Sequence, residues 1–116
     1  MALRSVALLL LVLAPVPLVP DSGAGDPRSI VREAESAVEA RRVPALAARW
    51  APDLQLHPED PAALFAQATI ERLTYRYSEA SRDYDRLRAL PAAKGGRFRA
   101  FAALGEAEMY FIAARE

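Results

Sequence analysis

The residues able to do chemistry are few and scattered. The only histidine, His57, sits in the stretch QLHPED with no cysteine and no second histidine to share a metal, so it reads as a turn residue. Asp83 and Asp85 stand two apart in a stretch with helical spacing. They therefore point to different faces and make poor partners for acid–base work. Glu79, Arg82, Asp83 and Arg86 are spaced instead for exposed ion pairs, worth about 0.3 kcal/mol each. Gly95-Gly96 beside Lys94 lacks the spacing and the Ser/Thr of a phosphate loop and reads as a hinge. No G-x-S-x-G turn and no H-E-x-x-H helix occurs. With no cysteine, disulfides, thiolate metal sites and thiol nucleophiles are excluded. The expectation is a protein that is not an enzyme and uses neither cofactor nor metal.

What is left is recognition by a surface, and charge narrows the partner. The chain has 116 residues, with 15 basic and 15 acidic side chains and a formal charge of zero. No net positive field draws nucleic acid or an anionic membrane. The expected partner is a protein or peptide. The length sets a ceiling of one small domain with a modest core.

The first residues, MALRSVALLLLVLAPVPLVPDSGAG, carry one positive charge at Arg4, an apolar run from Val6 to Ala14, and prolines at 15, 17 and 20. That is the order of a secretory signal peptide, and the run is too short to span a bilayer. Cleavage after Ser22-Gly23-Ala24 is expected, leaving residues 25–116 as an exported, periplasmic or secreted domain. Retention of the leader as an anchor is the alternative. The leader and the arginine–alanine bias suggest a bacterial chain.

Asp26-Pro27 and Asp60-Pro61 then stand 34 residues apart. Each predicts a helix start, with the aspartate side chain capping free N–H groups and proline at the first helical position. The pattern predicts helices from about Pro27 to Arg42, over 44–50 with Pro52 cutting it short, from Pro61 to Leu73 or Thr74, over 78–90, and from Arg97 to about Ala114.

A 34-residue period of two helices and a tight turn resembles the tetratricopeptide repeat family. In the middle unit, 61–94, Leu64, Ala68, Tyr77, Ala80, Tyr84 and Leu87 fall on the family's favoured positions. Glu71 departs from the pattern, which prefers an aromatic there. Unit 27–60 is degenerate, with Pro44 and Pro52 damaging its second helix and Leu46 where alanine is favoured. Unit 98–116 is incomplete, with Phe101, Leu104 and Gly105 fitting. The resemblance implies an all-α fold of about five helices after the leader. These would be helix-turn-helix repeats stacked as a short right-handed α-solenoid.

The resemblance also implies a concave groove lined by the first helix of each unit. On this chain the groove positions are Arg28, Val31, Glu35 and Val38, then Ala62, Phe65, Thr69 and Arg72, then Arg99, Ala102, Glu106 and Met109. The expected binding residues are Val31, Glu35, Val38, Phe65, Thr69, Arg72, Glu106 and Met109, suited to an extended or helical peptide. The family's carboxylate clamp uses asparagine, and this chain has none, so that activity is not implied. Phe101, Leu104, Met109, Tyr110, Phe111 and Ile112 ring the last helix too widely for one buried face. The chain is therefore expected to be a fragment of a longer array or to self-associate through this helix. The functional expectation is an exported, non-catalytic scaffold. The alternatives are the recognition arm of a larger exported enzyme and a self-assembling helical bundle.

Overall fold

A computed structural model describes residues 25–115; the leader at residues 1–24 and the expected cleavage site lie outside them. The described residues form five helices and no strands: α1 Pro27–Glu39, α2 Val43–Leu56, α3 Pro61–Leu73, α4 Tyr77–Ala89 and α5 Ala92–Arg115.

Proline at the first turn fixes φ where no backbone donor is needed, so α1 and α3 start at Pro27 and Pro61. The carbonyls of Asp26 and Asp60 accept the first helical bonds, from Ile30 at 3.1 Å and Leu64 at 3.0 Å. Their carboxylates do not cap the helices, contrary to the sequence expectation. Asp26 is engaged elsewhere: Oδ1 lies 3.0 Å from the Arg97 guanidinium and Oδ2 accepts the Ser29 hydroxyl at 3.5 Å.

Both first helices end in the same way. Arg41 and Tyr75 take the left-handed conformation, at φ 58° and 67°. The next N–H then folds back five residues, Arg42 to the Ala37 carbonyl and Arg76 to the Glu71 carbonyl, at 2.8 Å each. This turn is why α1 stops at Glu39 and does not reach Arg42. Start, end, left-handed turn residue and start of the second helix all recur at a spacing of 34, at Pro27 and Pro61, Glu39 and Leu73, Arg41 and Tyr75, Val43 and Tyr77.

Helix α2 runs to Leu56 instead of ending near Trp50, with Pro52 inside it. An internal proline costs a hydrogen bond and about 3 kcal/mol. Burial on either side offsets this, since Trp50 and Leu54 pack on the main core. Pro44 does no damage, because it lies in the first turn of the helix. Helix α5 begins at Ala92, earlier than Arg97, and kinks at Gly96 (φ 49°, ψ −134°), a backbone region open only to glycine.

Helix α3 is the centre of the domain, with Leu64, Phe65, Ala68 and Ile70 buried among its neighbours. Tyr84, Leu87 and Ala80 of α4 are fully buried against it, the methyl-sized Ala80 allowing close approach of the hairpin. Phe65 tilts against Tyr84, Phe98 and Phe101 at centroid distances of 6.3, 5.6 and 6.3 Å. A second cluster, Ala34, Ala37, Leu46 and Ile70, closes the other end, and Trp50 packs on both.

Gly105 is required where it stands. A Cβ there would lie 2.6 Å from the Tyr84 hydroxyl oxygen and 2.8 Å from Cζ, and any shift of the ring would disturb the Arg72 bond to its hydroxyl. Gly105→Ala should destabilise the fold by about 1–3 kcal/mol, read by urea unfolding; an unchanged midpoint would show the helices free to separate. Tyr75→Gly, at an exposed position with positive φ, should stabilise by roughly 0.5–1 kcal/mol in the same assay.

Candidate functional site

Helices α1, α3 and α5 open a cleft of about 340 Å³ on one side of the domain. Helix α1 supplies Arg28, Val31, Arg32 and Glu35, α3 supplies Phe65 and Arg72, and α5 supplies Phe101, Leu104, Gly105 and Glu108; Tyr84 of α4 reaches the floor. The i, i+3, i+4 spacing on α1 puts its four residues on one face.

Arg72 holds the floor together. Its Nε donates to the Tyr84 hydroxyl at 3.2 Å and its Nη1 to Glu108 Oε2 at 3.2 Å. The guanidinium is nearly buried while Glu108 is half exposed. One side chain of α3 thereby fixes α4 and α5 with charge-assisted bonds. Arg28, Arg32 and Glu35 stand exposed along the α1 rim.

Of the residues expected in the groove, Val31, Glu35, Phe65 and Arg72 line this cleft, as does Arg28. Val38 is exposed outside it. Thr69 is fully buried, with its hydroxyl lacking a hydrogen-bond partner. Met109 is buried beside Tyr77 and Ser81 on α4. Glu106 is buried too, accepting from the Ser81 hydroxyl at 3.2 Å and lying 2.8 Å from the Arg88 guanidinium. Ala102 is buried, and Ala62 and Arg99 do not line the cleft.

The displaced residues on α5 share one offset. The helix is interrupted at Gly96, and its cleft face is Phe101, Gly105 and Glu108, with Leu104 beside them. The first three each lie one position before the expected Ala102, Glu106 and Met109. Counting from Arg97, the first residue after the glycine pair, would have found them. Arg32 carried a signal as well, four residues from Arg28 on the same face.

His57 caps the end of α2, its N–H bonded to the Asp53 carbonyl at 2.8 Å. Asp85 pairs on the surface with Arg88 at 2.6 Å. Asp83 is not on that exposed face: it is buried, with Arg86 at 3.2 Å. Glu79 pairs with Arg76 at 3.6 Å.

Asp83 instead faces Glu71, itself only 4% exposed, across the α3–α4 hairpin. Burial, then a hydrogen bond to Asp83 and the Asp83 charge, raise the Glu71 carboxyl from 4.5 to about 8, against the opposing pull of Gln67 and Arg76. Among the described residues Glu71 Oε1 has no donor directed at it, an environment that favours the protonated carboxyl. Both carboxyls are closed off from substrate, so the pair is a structural acid dyad.

Among the described residues no cluster of three or more His, Cys, Asp or Glu side chains could hold a metal ion. No described helix is long and apolar enough to cross a membrane. Leu104, Tyr110, Phe111 and Ile112 are all substantially exposed on α5, and the Tyr110 hydroxyl hydrogen-bonds with that of Ser81 at 3.1 Å. Comparison with protein-family models, curated proteins and solved structures finds no match to this chain.

The acid dyad has a measurable signature. An unfolded glutamate ionises near 4.5 and the folded one near 8. The folded state therefore holds the extra proton between those values, and stability falls as pH rises through that window. Glu71→Gln, neutral throughout, should flatten the decline of Tm from pH 5 to pH 8 seen in the parent chain. Equal slopes in both proteins would show the two carboxyls to be uncoupled.

Proposed function

We propose that the chain is an exported, non-catalytic scaffold whose tetratricopeptide-like repeats hold a protein or peptide segment in the cleft of α1, α3 and α5. The single observation that carries the reading is that the first helix of each unit contributes to the same cleft, with an aromatic floor and an arginine fixed at its base. Support for stacked repeats comes from the 34-residue recurrence of helix starts, helix ends and left-handed turns. A cleft lined by aromatic and aliphatic side chains with a few charged groups suits a peptide better than a small polar metabolite. Export rests on the order of charge, apolar run and small residues in the leader. The same cleft would do the binding in the alternative reading, the recognition arm of a larger exported enzyme.

The test compares two faces of the molecule. Leu104→Asp and Val31→Asp each place a charge in the cleft, whereas Leu56→Asp changes an exposed residue of α2 outside it. Both cleft variants should lose a partner captured from the exported fraction by about tenfold or more, as expected for losing an apolar anchor. The α2 variant should retain it, with the helical circular dichroism of all three unchanged. Capture that survives both cleft substitutions would overturn the assignment.

A further inference from the structure

The α1 rim of the cleft carries arginines that make no ion pair among the described residues. Arg28 and Arg32 lie one helical turn apart, about 6 Å along the axis, and both are exposed. Among the described residues neither guanidinium meets a carboxylate, and the same holds for Arg41, Arg42, Arg82 and Arg99; of these, Arg28 and Arg32 are the ones that line the cleft. Of the acids lining the cleft, Glu108 is occupied by Arg72, and Glu35, three residues beyond Arg32 on the same face, stands exposed. Two exposed guanidiniums, Arg28 in the first turn of α1 and Arg32 in the second, therefore stand beside a floor and wall made of Phe65, Phe101 and Leu104.

Resting on the cleft reading above, we infer that the ligand is an extended acidic peptide segment of the pattern acid–apolar–acid. In an extended strand, side chains at i and i+2 point the same way and stand roughly 6.6 Å apart, which matches the pitch between Arg28 and Arg32. Carboxylates at those two positions can each take forked hydrogen bonds from a guanidinium. The residue between them points the opposite way, toward Leu104 and Phe101 on α5. Glu35 sets the polarity of the segment, because a third carboxylate in line would meet like charge there; a neutral or basic residue fits. Glu35 and Glu108 also oppose a phosphodiester backbone, which presents negative charge along its whole length.

The immobilised full chain is panned against a random nonapeptide display library, and an enriched peptide is resynthesised with a fluorescent label. The expected motif is Asp or Glu, then Leu, Ile or Phe, then Asp or Glu, with binding weakened by salt. The double variant R28E/R32E, changed only at exposed positions, should lower affinity for that peptide by about tenfold or more and prefer a Lys–Leu–Lys counterpart. Enriched peptides that lack acids yet are lost in Leu104→Asp would overturn the charge assignment and leave the cleft in place. Enrichment indifferent to Leu104→Asp, or none at all, would overturn both. A single-stranded oligonucleotide that displaces the labelled peptide and binds more tightly would overturn the peptide assignment.

Discussion

The arrangement of the domain depends on how one tyrosine is buried. Tyr84 is fully enclosed, and a phenol taken out of water must have a partner for its hydroxyl or lose about 1–3 kcal/mol. Arg72 supplies that partner and extends its other arm to Glu108, while Gly105 removes the side chain that would occupy the same space. Three helices are thereby positioned by one ring: α3 through Arg72 and Phe65, α4 through Tyr84 itself, and α5 through Gly105 and Glu108. The floor of the cleft is the solvent-facing edge of this arrangement, so the packing that stabilises the hairpin also shapes the cleft.

Polar groups inside the helical layers divide into those that are satisfied and those that are not. Glu106 is held between Ser81 and Arg88, which ties α5 to α4 on the side away from the cleft. Thr69 has a buried hydroxyl with no partner among the described residues, and burial beside Asp83 pushes the Glu71 carboxyl up to about 8. Both lie on α3, the most enclosed helix, where water cannot complete a missing hydrogen bond. The central hairpin thus combines close apolar packing with an ionisable interior, so its stability depends on pH as well as on burial.

Local signals in the sequence reported local structure well. The Asp-Pro pairs located both first helices, because proline at the first turn acts through its own φ, and the spacing of Tyr77, Ala80, Tyr84 and Leu87 marked the buried face of α4. Features decided between elements were less legible. Asp26 was drawn from its helix end by Arg97, a residue on another helix. Arg41 and Tyr75 adopt positive φ without being glycine, so composition gave no warning of the turn. Pro52 reads as a helix terminator until the burial of Trp50 and Leu54 around it is known. In the cleft, Val31, Glu35, Phe65 and Arg72 followed from helical spacing on unbroken helices. Thr69, although on the same pattern, is covered by neighbouring helices, and on α5 the spacing was applied from the wrong starting residue. The Glu71–Asp83 contact joins two helices and has no counterpart in the spacing along either one.

The joint at Gly96 makes α5 adjustable in azimuth. A helix advances about 100° per residue, so adding or removing one residue in the helical turn Ala92–Gly95 before the kink would rotate the part of α5 after Gly96 by more than a quarter circle. Glu108 would swing away from Arg72 and a different column of side chains would form the wall, with no change inside α1, α3 or the body of α5. The joint is thus a rotary index for the wall, through which a single inserted or deleted residue would re-line the cleft.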